Sequence, residues 1–402
     1  MNQETFTHDL PDPATLPTGS GRGWEVGFLS VAAVAGLASA AGAVVNPTQF
    51  VFSYLTAFAF VLSLALGGLF WSMLHHLSGA GWSVVVRRFV EHFARALPWM
   101  TLLFLPILWG STRLYAWSNA TRCASDPIWL AKQGWYGLPF FWARSALYLA
   151  IWAVLGPFLS RISARQDASG DPALTLRMRA ISAPGMILLG ASTTFAAFDW
   201  LMSLDYRWYS SIFGVYFWIQ SILGSMAALI LVVVGLRAGG QLRRTITTEH
   251  VHDLGKLLFA FTIFWAYIAF SQYFLIWYAN QPEETSWFLR RRTGSWNELS
   301  WFLAIGHFAL PFAMLLPRAA KRSPIWLGMV AAWVLAACYL DFYWLVMPTL
   351  HAEGARPHWL DLTTLAALFS TFGALVARAL ARHPMIPVGD PRLAESLVFR
   401  NV

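Results

Sequence analysis

Residues 50–76 read FVFSYLTAFAFVLSLALGGLFWSMLHH, a run without an aspartate, glutamate, lysine or arginine. A helix needs about 20 mostly apolar residues to cross a bilayer core. In lipid the backbone polar groups must be satisfied within the segment, so an isolated crossing of this kind is helical. Nine other stretches share the pattern. The ten expected spans are 26–45, 50–76, 96–117, 139–160, 182–204, 210–236, 254–279, 299–317, 324–347 and 360–380. The expected fold is all-α and integral to a membrane, with ten transmembrane helices. Pro98 and Pro106 predict a kink in span 3. The alanines and glycines of span 1 predict close packing on a neighbouring helix.

Composition agrees. Of the 402 residues, 57% are hydrophobic and 12% charged, where a soluble domain carries about 25% charged residues. The 22 Trp and 12 Tyr suit interfacial belts. The net charge of +8 does not point to nucleic acid, because the arginines cluster in short loops between spans. Those loops set the expected orientation. One side, holding both termini and the loops after spans 2, 4, 6 and 8, collects 19 Lys and Arg; the other has 8. The richer side is expected to be cytoplasmic. Loops 118–138 and 280–298 then face the exterior, and their Trp, Asn, Pro and charge suit docking surfaces. The first 23 residues lack a basic n-region, so no cleaved signal peptide is expected. Cys123 and Cys338 form no CxxC, which excludes a Cys-ligated iron–sulfur cluster within the chain.

Spans 2–5 and 6–9 resemble each other. Span 2 (YLTAFAFVLSLALGGLFWSML) matches span 6 (FGVYFWIQSILGSMAALILV), and spans 4 and 8 both end in a proline-bearing exit. Span 5 ends FDWLM and span 9 ends DFYWLVM. Four spans per copy keep both copies in one orientation, a parallel repeat about the membrane normal. The expected organisation is a cytoplasmic segment 1–25, peripheral span 26–45, a four-helix bundle 50–204, a second four-helix bundle 210–347, peripheral span 360–380 and a cytoplasmic tail 381–402.

Asp199 and Asp341 fall at matching places in the repeat. An ionisable group at membrane depth costs several kcal/mol unless paired or hydrated, so it is a functional-site candidate by default. Arg144 in span 4 is the expected partner of Asp199, and His307 in span 8 that of Asp341. Both pairs have a plain structural reading, as pins of helix register. Histidine titrates near neutral pH, so His307–Asp341 is the better proton candidate, and Arg144–Asp199 reads as a structural ion pair. His75, at the cytoplasmic end of span 2, and Glu25, at the start of span 1, are candidate proton-entry groups, though interfacial placement alone also explains them. A b-type haem needs two axial ligands at matching depth, and only His307 is deep, so no haem is expected. No catalytic nucleophile or metal-ligand motif is present.

Three stretches carry a resemblance: FDWLMSLDYRWYSSIFGVYF (198–217), LGKLLFAFTIFWAYIAFSQYFLIWYANQPEETSWFLRR (254–291) and PVGDPRLAESLVF (387–399). Together they resemble the smaller NrfD-like, polysulfide-reductase-type membrane subunit of alternative complex III, a bacterial quinol:cytochrome c oxidoreductase. The resemblance implies two four-helix bundles with two peripheral helices, in a bacterial plasma membrane. It implies as partners a larger paralogous membrane subunit, a periplasmic multihaem cytochrome c, a periplasmic iron–sulfur protein, small helical anchors and a terminal oxidase. Quinone or quinol is the implied cofactor, and the established quinol site belongs to the larger paralogue. Where the family has a Pro-His-type pair after LMSLD, this chain has Tyr206-Arg207, which removes any proton role for a histidine there.

The expected function is that of an integral subunit of a respiratory quinol-oxidising complex, scaffolding it and conducting protons through paired buried residues. The alternatives are a stand-alone secondary transporter and a purely structural anchor. The orientation is checked by fusions: a fluorescent protein after Val402 should fold and fluoresce, and alkaline phosphatase placed within 118–138 should be active. The reverse pattern overturns the assignment.

Overall fold

The structure, a computed structural model, describes residues 10–401. Residues 1–9 of the expected N-terminal segment lie outside the described residues. All regular structure among the described residues is helical. Among the described residues, nine helices are long and apolar enough to cross a membrane, and one bent pair makes a tenth. In chain order they are α1 Ser20–Val45, α2 Pro47–Ser78, α3 Val84–Leu103 with Leu105–Leu114, and α4 Leu138–Ser169. Then follow α5 Ala173–Trp200, α6 Phe213–Ala238, α7 Thr248–Ala279, α8 Ser295–Leu315, α9 Pro324–Val346 and α10 Trp359–Arg382. The chain is an all-α, multi-pass membrane protein.

The start of span 3 needs correction. The helical path begins at Val84, not at residue 96, and its two halves bend by 55°. The first turns carry Arg87, Arg88 and Glu91, which hid them from a hydropathy reading. The break falls at Phe104, with Pro106 in the first turn of the second half. Proline lacks an N–H and its ring collides with the carbonyl four residues back, so the helix cannot run straight through.

α2 is enclosed by protein along its whole apolar length. It touches α3, α5, α6, α9 and α10, while α6 touches α2, α5, α7 and α9. Lipid tails are as apolar as leucine, so helices associate in a bilayer by close packing at small residues. A Cβ on Gly67 of α2 would lie 2.0 Å from the Ser221 carbonyl and 2.1 Å from Ser225 Oγ, both on α6. One turn further along, Trp71 Nε1 donates to the Ile222 carbonyl at 3.2 Å. The Ala/Gly face of α1 packs on α10 as its composition suggests: a Cβ on Gly42 would meet Leu360 at 2.3 Å, and one on Gly21 would meet Ala381 at 2.7 Å.

α2, α4 and α7 each have 32 residues, about 48 Å against a hydrocarbon core of about 30 Å. The excess length of α4 and α7 emerges on the arginine-rich side, where the C-terminal residues cover it. Arg87 pairs with Glu91 and Asp390; Arg88 pairs with Glu91 (3.1 Å) and with Asp167 of α4 (2.5 Å). Gly389 lies so close to α4 that a Cβ would be 2.0 Å from the Gln166 carbonyl. Ser396 Oγ donates to the Trp82 carbonyl at 2.7 Å, and His250 of α7 meets the Ser396 carbonyl at 3.1 Å. The tail is thus a strap binding α3, α4 and α7.

Gly67→Ala should force α2 and α6 apart and cost about 1–3 kcal/mol by overpacking, seen as a lower unfolding midpoint in detergent. Gly36→Ala, where a Cβ meets nothing within 4 Å, should leave the midpoint unchanged.

Candidate functional site

Two buried carboxylates lie at one level of the bundle. Trp200, next to Asp199, meets Phe58 of α2 at 6.2 Å, and Phe342, next to Asp341, meets Phe60 of α2 at 6.3 Å. Their surroundings differ.

Asp199 is locked to a permanent cation. Arg144 of α4 donates from Nε to Oδ2 and from Nη2 to Oδ1, both at 2.8 Å, the bidentate geometry that makes such pairs strong. Tyr148, one turn along α4, donates to Oδ2 at 2.9 Å, and Trp135 Nε1 donates to Oδ1 at 3.0 Å. The guanidinium lies 4.0 Å from the Trp135 ring and 4.2 Å from the Phe140 ring. Trp135 belongs to the loop before α4, so that loop folds down as a lid.

Asp341 of α9 has no permanent cation among its hydrogen-bond partners. Tyr216 of α6 donates to it at 2.7 and 2.8 Å, Trp265 of α7 donates at 3.0 Å, and Gln220 of α6 donates to Oδ2. Three neutral donors therefore meet the carboxylate. His307 sits opposite, with Nδ1 at 3.8 Å from Oδ2, outside hydrogen-bond range. Its ring stacks on Trp265 at 4.0 Å and its Nε2 lies 3.6 Å from Cys338 Sγ. Nδ1 has no partner among the described residues. The backbone of His307 belongs to a π-helical stretch, Leu303–Ala309. Such bulges recur at functional sites because they re-aim a side chain without ending the helix.

The structure therefore brings Arg144 to Asp199 and His307 to Asp341. It leaves the two entry candidates apart from them. His75 is buried near the end of α2, and neither ring nitrogen has a partner among the described residues. Fifteen residues of α2, about 22 Å of helix, separate His75 from the level of Phe60, and the packed Gly67 crossing lies between. Glu25 stands beside Arg378 of α10 at 3.9 Å.

Several partners escaped the sequence reading. Tyr216 and Gln220 are four residues apart and so share a face of α6, a spacing that was readable. Trp265, Tyr148 and Trp135 had no such signal. A third carboxylate, Asp361, accepts from Ser53 Oγ at 2.5 Å and from the His358 N–H at 2.8 Å. It closes a capping box at the start of α10, a structural duty.

The two loops read as docking surfaces are partly used within the chain. Asp126 accepts from Tyr206 Oη at 2.6 Å and pairs with Arg207 at 2.8 Å. The Tyr206 hydrogen bond, with help from Arg207, holds the Asp126 carboxyl below its usual range. The adjacent Tyr206 and Arg207 thus tether loop 118–138. Trp208 stacks on Trp287 at 4.4 Å and Arg290 pairs with Asp205 at 3.0 Å, tethering loop 280–298 to the same turn. Arg291 is buried. It donates to the carbonyls of Trp287, Trp344 and Leu345 at 3.1, 3.1 and 2.8 Å, and burial pushes its guanidinium down from the ordinary arginine range.

A quinone does not fit the cavity at this level. That cavity lies between α2, α5 and α6, is lined by residues such as Leu55, Leu62, Ala197 and Trp200, and measures about 10 Å³, room for about one water. No quinone step is assigned to this chain.

No protein-family model matches the chain, and no curated protein matches it. What stands is an integral multi-pass membrane protein whose interior holds ionisable residues.

Asp199→Asn should leave Arg144 buried without its counter-charge, at a cost of about 3–5 kcal/mol. Asp341→Asn keeps an acceptor for Tyr216 and Trp265, and should cost only about 1 kcal/mol. Thermal unfolding of the purified variants in detergent checks the order; equal losses would contradict the asymmetry.

Proposed function

We propose that this chain is the smaller ten-span membrane subunit of a respiratory quinol:electron-acceptor oxidoreductase of the alternative complex III type, in a bacterial plasma membrane with both termini cytoplasmic. The three stretches quoted above support the family reading. We further propose two four-helix bundles, α2–α5 and α6–α9, with α1 and α10 peripheral. The packing supports it: α2 lies against α3 and α5 as α6 lies against α7 and α9, and the glycine crossing joins the two equivalent helices.

In this reading the chain scaffolds the complex and holds one exchangeable proton. The observation that carries it is the contrast between the two carboxylates. Asp199 has a bidentate arginine, so its charge is fixed. Asp341 is held by neutral donors, with the free Nδ1 of His307 at 3.8 Å. A proton moving from the Asp341 carboxyl to His307 Nδ1 needs that distance to shorten to about 3 Å, or one intervening water. The π-helical stretch of α8 is the local element whose change of hydrogen-bond register would supply the shift. Quinol oxidation and electron transfer belong to the partners: the larger paralogue, the multihaem cytochrome and the iron–sulfur protein.

The test is to tag the C-terminus, solubilise native membranes gently and identify what co-purifies, with a covalent-haem stain. A multihaem cytochrome and an iron–sulfur protein in fixed ratio are expected. A chain that emerges alone overturns the complex reading and turns attention to transport. Within the assembled complex, Asp341→Asn should lower the protons moved per electron while quinol turnover persists. An unchanged ratio removes Asp341 from the obligatory path.

A further inference from the structure

On the arginine-rich side a cavity of about 270 Å³ opens between α3, α4 and α10. Admitting one water takes about 10–15 Å³, so this is room for a sizeable hydrated group. Its lining includes Arg95 of α3, Arg161 of α4, and Arg378, Arg382 and His383 at the end of α10. Among the described residues no aspartate or glutamate lines it. Arg95, Arg161 and Arg382 have no ion-pair partner among the described residues, and Arg378 has only Glu25 at 3.9 Å. Arg95 Nη1 is buried and has no hydrogen-bond partner there.

Four guanidinium groups around one space repel one another. A protein seldom keeps such an arrangement without an anion to bridge it, and guanidinium forks match phosphate oxygens. His383 reports the same field: burial, with Arg95, Arg88 and Arg382 nearby, pushes its imidazole down to about 4.

The apolar part of the wall names the source of the anion. Pro98, Trp99, Pro157, Leu375 and Ala379 complete the lining. From there exposed apolar side chains continue along the first half of α3, at Trp99 and Leu102, and along α4, at Phe158 and Val154. That half of α3 packs on α4, and these side chains bound a lipid-facing groove leading away from the cavity. A free phosphate has no use for the groove; acyl chains do.

We propose that this cavity is a binding site for an anionic phospholipid of the arginine-rich leaflet, its phosphate held by Arg95, Arg161 and Arg382 and its acyl chains lying along α3 and α4. Basic pockets between transmembrane helices are a recurrent form of headgroup recognition. The site is independent of the respiratory role proposed above.

The test uses the full chain, purified with whatever accompanies it and stripped of loose lipid by detergent. Phosphatidylglycerol, cardiolipin, phosphatidylcholine and inorganic phosphate are titrated in turn, with binding read by native mass spectrometry and by the unfolding midpoint. The anionic lipids should bind and raise the midpoint; phosphatidylcholine should do neither. The double variant Arg161→Gln/Arg382→Gln alters two exposed side chains. It should weaken anionic-lipid binding by about 25-fold, about fivefold per charge removed. The control Arg177→Gln/Arg179→Gln removes the same charge from the same side at exposed positions of α5 and should bind like the parent. Equal binding of phosphatidylcholine, or equal losses in the two double variants, would overturn the site. Full displacement of the lipid by millimolar phosphate would overturn the lipid assignment in favour of a free-anion site.

Discussion

A charge inside a bilayer has no water to fall back on, so its counter-charge or its donors must come from the protein. The architecture of this chain follows from meeting that demand at three places. At Asp199 a bidentate arginine does it, with a tyrosine and a tryptophan filling the remaining acceptor sites. At Asp341 three neutral donors do it. On the arginine-rich side Arg87 and Arg88 share Glu91, Asp167 and Asp390. Each solution ties one helix to another, so each also fixes how those helices sit.

The first two solutions have different consequences. A buried pair of permanent charges is costly to assemble and more costly to break, which makes Arg144–Asp199 a rigid register pin between α4 and α5. Trp135, in the loop before α4, donates to Asp199 and lies over the Arg144 guanidinium. A carboxylate held by neutral donors is not committed to one protonation state by a fixed cation. His307 stands 3.8 Å away on a π-helical stretch, a second titratable side chain beside the carboxylate. One level of the bundle, that of Phe58 and Phe60 of α2, thus holds one carboxylate on a cation and one on neutral donors.

Ten spans, their apolar stretches, the α3 kink and the close packing of α1 through its small residues were all legible in the sequence; that α10 is its partner was not. Hydropathy, proline chemistry and small-residue faces are local properties of a segment, and the bilayer converts them directly into structure. The span whose start lies furthest from the expected one, α3, carries Arg87, Arg88 and Glu91 in its first turns, where the charge is neutralised by Asp167 and Asp390 from elsewhere in the chain; α5 likewise begins at Ala173, before the expected 182, with Arg177 and Arg179 in its first turns. No window centred on α3 contains that information.

The place of Asp199, Asp341, Arg144 and His307 along their helices was likewise readable, because residue number sets the rise along a helix at about 1.5 Å per residue. Rotation about the helix axis is not set that way. Only the tertiary structure decided that Asp199 takes the arginine while Asp341 takes Tyr216, Gln220 and Trp265, since those contacts depend on how α6, α7 and α9 turn toward one another. It also decided that Tyr206 and Arg207 tether a loop, that the C-terminal tail is a strap, and that four arginines from three helices surround one cavity. Sequence determined which segments are long and apolar enough to cross a membrane and where along each its charged residues lie; helix packing determined which of them meet, because pairing is a property of facing surfaces and not of a single segment.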